Sequence, residues 1–248
     1  MKLPGHSEPC RCAACSGNSC RPPLIQLQDI EFIRDDRHIL SDINMTVDRG
    51  DFVAITGPNG GGKTTLLRLI LGLARPTAGK VIYYDENRKP VSSLPVPGYL
   101  PQKNTVDSHF PITVKQVIAS GLLALKGCDK TRKEELIERA LRLTALEELA
   151  DRPIGRLSGG QLQRTLFGRA IVSEPPVIIL DEPLSYIDLN FESKLYDIIH
   201  ELSRKATILL VSHQMDQIGA MANRHIIVDH TLRECTHTHH YCPPECEC

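Results

Sequence analysis

Gly57-Pro58-Asn59-Gly60-Gly61-Gly62-Lys63-Thr64 decides the fold. The octet follows the apolar run Phe52 to Ile55 and precedes Leu66-Leu67-Arg68-Leu69-Ile70, so it reads as a loop between a strand and a helix. Its spacing, G-x-x-x-x-G-K-[ST], is that of a phosphate-binding loop. Glycines tolerate the positive φ angles and the close approach that let successive backbone N–H groups turn inward on a polyphosphate. Lys63 is expected on the β- and γ-phosphates and the Thr64 hydroxyl on Mg²⁺, with Thr65 completing the nucleotide-binding stretch. The alternative, a Gly-rich turn that merely caps a helix, is outweighed by the strand-loop-helix context.

Working outward, the 248 residues suffice for one α/β domain with an inserted subdomain. With 29 basic against 30 acidic residues the chain has no electrostatic footprint for nucleic acid and no polybasic membrane anchor. No apolar run approaches the ~20 residues of a transmembrane helix, and the first residues lack the apolar core of a signal peptide. A soluble protein of the cytoplasm is expected. Aromatics are 4% of the chain and Trp is absent, so the core must be aliphatic.

The segments around the octet supply the rest of an α/β sheet. Leu24 to Phe32 and Ile43 to Val47 alternate in polarity, as antiparallel strands with one wet face do, while Val177-Ile178-Ile179-Leu180 and Thr207 to Val211 are continuous apolar runs expected to be buried on both faces. Lys80 to Tyr84 and His225 to Val228 are predicted as further strands, the latter the last, and Gly98-Tyr99-Leu100-Pro101-Gln102 as a short strand running into a loop. Between Gly98 and Pro175 the pattern is helical, over Val114 to Leu125, Lys130 to Leu143 and Gln161 to Val172, and Phe191 to Leu202 is another helix. The predicted organisation is a tail over 1–23, an α/β domain over 24–230 whose helical subdomain covers about 103–172, and a second tail over 231–248.

Phosphoryl transfer from ATP needs more than a cradle. It needs a carboxylate for Mg²⁺, a group that orients or deprotonates water, a γ-phosphate sensor and extra positive potential at the transition state. Asp181 ends an apolar strand, where a metal-directed carboxylate belongs, and Glu182 follows it as the candidate for the attacking water. An acidic pair after a strand can also be a helix cap.

Taken together, the phosphate loop, Gly98-Tyr99-Leu100-Pro101-Gln102, Leu157-Ser158-Gly159-Gly160-Gln161, Val177 to Glu182, Ser185-Tyr186-Ile187-Asp188 and His213 occur in the order and spacing of an ABC transporter ATPase subunit. The resemblance covers residues 24 to 229 and implies a P-loop α/β fold with a mixed sheet, an antiparallel β edge and an inserted helical subdomain. It further implies a head-to-tail homodimer that sandwiches two ATP molecules, each between the phosphate loop of one copy and Ser158, Gly159 and Gly160 of the other, with Gln161 completing the signature. Ser158 can cap the following helix, whose N–H groups then face an anion. By the same match Gln102 links Mg²⁺ to the helical subdomain, His213 hydrogen-bonds the γ-phosphate, and Asp188 lies at the dimer contact. Two positions depart from the family pattern: Arg34 stands where an aromatic usually stacks on adenine, and Tyr186 replaces a small residue in the dimer loop. A guanidinium plane can stack on a base as well.

Within that family, Gly61-Gly62, Phe110-Pro111-Ile112-Thr113-Val114 and Arg152-Pro153-Ile154 resemble the zinc/manganese importer ATPases. The expected function is ATP hydrolysis that energises import of a divalent metal ion. The expected partners are a polytopic permease on whose cytoplasmic face the chain sits and an extracytoplasmic solute-binding protein. A soluble ABC ATPase of iron–sulfur cluster assembly, and a nucleotide-gated module that only binds, are the rival classes. Retention of Glu182 argues against the second.

Nine cysteines are spread unevenly. Cys10, Cys12, Cys15 and Cys20 fall before the domain and Cys235, Cys242, Cys246 and Cys248 after it, the latter interleaved with His237, His239 and His240. In a reducing compartment such clusters are metal ligands more readily than disulfides, and zinc on either tail is the expectation, against the bland alternative of incidental cysteines.

Overall fold

Two alternating runs form a hairpin in the computed structural model, which describes residues 21–102, 110–125, 127–185, 187, 189–213 and 215–235. Strands β1 (Pro23–Arg34) and β2 (Arg37–Asp48) pair antiparallel and are joined by Asp35 and Asp36, both at positive φ (50° and 57°). That is the turn geometry which matches the twist of a two-residue hairpin, and Asp tolerates it better than most residues. The chain then enters β3 (Phe52–Thr56), passes through the octet into helix α1 (Lys63–Ile70) and returns in β4 (Ala78–Tyr84) and β5 (Pro90–Val91). The last two join the hairpin in a four-stranded antiparallel sheet of order β2-β1-β4-β5.

After β6 (Gly98–Leu100) come α2 (Val114–Ser120), α3 (Lys130–Thr144) and α4 (Gly159–Ile171). Strand β7 (Val177–Asp181), helix α5 (Leu189–Ser203), strand β8 (Thr207–Val211), helix α6 (Met215–Met221), and strands β9 (Arg224–Asp229) and β10 (Thr231–Cys235) follow. The second sheet has the order β10-β9-β3-β8-β7-β6 and is parallel except for β10. All five residues of β7 and of β8 are buried, as their unbroken apolar pattern requires of strands covered on both faces. One apolar cluster joins the face bearing α1 to the antiparallel sheet, and a second lies on the other face under α4, α5 and α6. A third, small cluster belongs to α2 and α3.

Two expectations are corrected. The domain does not end at 230: Thr231–Cys235 form β10, paired residue by residue with β9 from Thr231–Asp229 to Cys235–His225. Cys235 is therefore a buried strand residue, 3% exposed, and not a member of a terminal tail. The helix expected over Val114 to Leu125 stops at Ser120, and Gly121 to Ala124 are turns.

The helical subdomain is fastened to the sheet where Gly98 opens β6. A Cβ built on Gly98 would lie 2.1 Å from the Ala170 carbonyl oxygen of α4 and 2.8 Å from Pro175 Cγ. Only a residue without a side chain allows strand and helix backbones to meet there. Gly98→Val should lower stability by roughly 1–3 kcal/mol or more, the cost of overpacking, measured by urea unfolding of the purified chain.

Candidate functional site

The carboxyl ends of four strands line up at one sheet edge, because Ile55 pairs with Val211, Asp181 with Val211, and Leu100 with Leu180. That register gathers the octet, Gln102, the pair Asp181-Glu182 and His213 at one edge, the usual ligand side of a parallel sheet.

The octet lies directly on the end of β9. A Cβ on Gly57 (φ 137°) would sit 2.0 Å from the Val228 carbonyl oxygen, and one on Gly61 2.7 Å from the same atom. The tip of the β9–β10 hairpin holds the loop from outside, with His230 N–H donating to Gly61 O at 2.9 Å. Beneath it, Thr56 Oγ1 and His225 Nε2 are 2.8 Å apart, and burial lowers the His225 pKa. Lys63 donates from Nζ to Gly57 O (2.8 Å) and Pro58 O (2.9 Å), so the ammonium sits inside the mouth of the loop. Burial lowers its pKa, while Glu182 and Asp181 push it back up.

Asp181 is 1% exposed. Its Oδ2 accepts from Thr64 Oγ1 at 2.9 Å, whereas Oδ1 is buried with no hydrogen-bond partner. Burial raises its pKa, the Thr64 hydrogen bond lowers it, Glu182 raises it, and Lys63 and Arg68 lower it. A spare carboxylate oxygen beside a threonine hydroxyl is the hard oxygen donor set that suits Mg²⁺. Glu182 has a left-handed backbone (φ 53°), a conformation that costs a non-glycine residue on the order of 1 kcal/mol. It is held there by its N–H on Val211 O (2.9 Å), and it directs Oε1 to His213 Nε2 at 3.0 Å while Ser185 Oγ lies 3.4 Å from Oε2. Sequence order alone leaves Glu182 and His213 thirty-one residues apart; β7 and β8, as neighbours, make them a pair.

Ser158 caps α4 as expected, accepting from Gln161 N–H at 3.2 Å, while Gln161 Oε1 accepts from Ser158 N–H at 3.0 Å. This reciprocal box fixes the helix start. The Gln161 amide oxygen is thereby committed to the cap. Ser158 and Gly159 are exposed at the helix N-terminus. Arg34 closes β1, exposed, with Nε 3.7 Å from Asp35 Oδ2. Tyr186 and Asp188 lie outside the described residues, as do Cys10, Cys12, Cys15, Cys20, His237, His239, His240, Cys242, Cys246 and Cys248. Among the described residues no three His, Cys, Asp or Glu side chains are grouped to hold a metal ion.

One connection was not foreseen in the sequence. Gln163, 4% exposed, donates from Nε2 to Pro183 O at 3.3 Å, so the helix that begins at the signature is tied to the loop that carries Glu182. A polar residue two positions after Gln161, on the face of α4 that also carries Leu166 and Ala170, is the signal that marks it.

Comparisons with known proteins agree with this geometry. The family described as "ABC transporter" matches residues 40–185. The zinc uptake system ATP-binding protein ZurA of Listeria innocua is 36% identical over 226 residues, covering 86% of this chain and 88% of that protein. The zinc import ATP-binding protein ZnuC of Pasteurella multocida is 35% identical over 214 residues, covering 86% of this chain and 75% of its own. Among solved structures, a metal-chelate type ABC transporter in an inward-facing conformation superposes with a TM-score of 0.70 at 28% identity, covering 86% and 83% of the two chains. A dimeric bacterial ABC transporter cassette gives 0.74 at 25% identity, covering 86% and 98%.

Ionised Asp181 has a folded pKa above its unfolded one, so its charge costs stability at neutral pH and that cost is relieved as pH falls into the carboxylate range. Asp181→Asn removes the charge and keeps an acceptor for Thr64. The variant without nucleotide should melt no lower than wild type at pH 7, yet lose the extra stabilisation that Mg²⁺ adds to ATP. Thermal melts with ATP in EDTA and with ATP plus Mg²⁺ read both effects.

Proposed function

We propose a function from one premise: this chain belongs to the ABC transporter family. It is an ATPase of that family, and its hydrolysis energises import of a divalent metal ion, zinc or manganese, through a separate membrane permease. The observation that carries this reading is the Asp181, Glu182 and His213 constellation beside the phosphate loop, in a chain 36% identical to a zinc uptake ATP-binding protein over most of both lengths. Among the described residues no helix is long and apolar enough to cross a membrane. The permease therefore carries the solute path, and this chain sits on its cytoplasmic face. An extracytoplasmic binding protein delivering the solute completes the system.

The chemistry assigned to each residue follows from its position. The N–H groups of the octet, Pro58 having none, take the phosphates, and Lys63, already at the loop mouth, moves its ammonium from two carbonyls to the β/γ-oxygens. Thr64 Oγ1 and Asp181 Oδ1 would hold Mg²⁺, together with Gln102. When bound, the ion neutralises charge developing on the β- and γ-phosphates. Glu182 orients the attacking water and takes its proton. His213, on Glu182 Oε1, keeps that carboxylate aimed and presents its other edge to the γ-phosphate. The second half of the site comes from another copy, whose Ser158, Gly159 and Gly160 bring the N-terminus of α4 to the γ-phosphate.

Glu182→Gln preserves size and hydrogen bonding but removes the base. ATP binding should persist while turnover falls by on the order of 10²-fold or more and an ATP-bound dimer accumulates. Hydrolysis near the wild-type rate, with the permease present, would show that Glu182 has another role. The same variant, reconstituted with the permease in vesicles, should abolish uptake of zinc and manganese.

Ser158→Arg puts a long cation where the partner's phosphate arrives. It should block ATP-driven dimerisation, read by gel filtration of the Glu182→Gln background, and leave nucleotide binding by the monomer intact. Equal loss of both would mean that the signature serves folding.

A further inference from the structure

The chemistry described so far gives no task to one buried polar side chain. Gln163 lies on the face of α4 that carries Leu166 and Ala170 into the large core, and it is 4% exposed where those neighbours are aliphatic. A buried amide costs free energy unless it is hydrogen-bonded, so packing alone favours an apolar residue there. The bond it makes, from Nε2 to Pro183 O at 3.3 Å, is buried, and so is Pro183.

Pro183 directly follows Glu182, which puts the carbonyl that Gln163 holds very near the carboxylate that does the chemistry. The pyrrolidine ring fixes φ of Pro183 and the peptide between the two residues is planar. From the Glu182 Cα to that carbonyl the chain therefore keeps two soft torsions, ψ of Glu182 and ψ of Pro183. Glu182 itself stands at φ 53°, a left-handed conformation that persists in a non-glycine residue only where its surroundings over-determine it. One restraint comes from the sheet, through Glu182 N–H on Val211 O at 2.9 Å. A second comes from α4, through Gln163. The side chain leaves the backbone between these two pins and runs to His213 Nε2. His213 is 47% exposed and faces solvent, so it does not replace a buried restraint on the backbone.

We propose that Gln163 is a positioning residue for ATP hydrolysis: its amide holds the Pro183 carbonyl and thereby the aim of the Glu182 carboxylate. The inference rests on the reading of Glu182 as the group that activates water. Loss of the amide donor frees the two ψ torsions and moves the carboxylate away from the line of attack. The groups that hold nucleotide keep their places, because the Lys63 bonds to Gly57 O and Pro58 O and the Thr64 bond to Asp181 do not pass through this loop. A misplacement of about 1 Å can cost up to about 10²-fold in rate. The cost therefore falls on turnover and not on binding.

The test uses the purified full-length chain. Gln163→Met keeps length and volume and removes the donor, and Met adapts well to a core. Its kcat should fall about tenfold or more while KM and the Kd for ATP stay within about twofold. Gln163→Asn keeps the amide but is one methylene short, should show the same loss, and decides the matter if the Met variant does not fold. In the Glu182→Gln background there is no base left to aim, so adding Gln163→Met should leave the residual single-turnover rate unchanged. Loss by the same factor in both backgrounds, a rise in KM at constant kcat, or wild-type kcat in Gln163→Met would each overturn the proposal while leaving the role of Glu182 intact. Full hydrolysis by Glu182→Gln alone would overturn that role and this proposal together.

Discussion

A carboxylate held at 1% exposure at the end of an all-buried strand is the constraint on which this molecule turns. Asp181 has one oxygen on Thr64 and the other without a partner, and an isolated buried carboxylate would take up a proton instead of staying ionised. The apolar strands on which it is mounted offset the cost. Ile178, Ile179, Leu180, Leu209, Leu210 and Val211 are all at 0% exposure, each worth about 1.5–3 kcal/mol of burial. Lys63 and Arg68 also lower its pKa, and the same core positions them. The sheet's stability underwrites a site that would be unfavourable by itself.

Most of this could be read from residues. The continuous apolar runs at Val177 to Leu180 and Thr207 to Val211 became the buried parallel strands they imply, and the octet became the loop before α1. The membership of the family was legible in five short motifs. Strand β10 was not, because its sequence, Thr-Leu-Arg-Glu-Cys, has only Cys235 buried and is otherwise half-exposed or wet, and it opens a stretch rich in Cys and His. An edge strand with one partner has weak periodicity, and it is its register with β9 that defines it. The Gln163 contact was equally hidden, since a buried glutamine is visible only when its acceptor, Pro183 O, is known. Arg34 was legible only as the residue at the family's aromatic position; the structure puts it, exposed, at the end of β1.

The molecule is divided less sharply than its sequence suggests. Helices α2 and α3 keep a small core of their own through Ile118, Leu136, Ile137 and Leu141, yet α4 belongs to both parts. Its residues Leu166, Phe167, Ala170 and Ile171 pack into the large core against β7 and β8, and Gly98 lets its backbone touch β6. The helical subdomain is thus carried by a helix rooted in the sheet.

The Gln163–Pro183 bond has a consequence at the level of the pair of subunits. In the proposed dimer, α4 of one copy begins at the other copy's phosphate and, about one turn along its own length, holds the loop of its own catalytic glutamate. The bond gives α4 a direct mechanical link from its N-terminus to the loop that carries Glu182. In that arrangement any coupling carried by α4 between the two sites would be reciprocal, each site's occupancy bearing on the other's affinity.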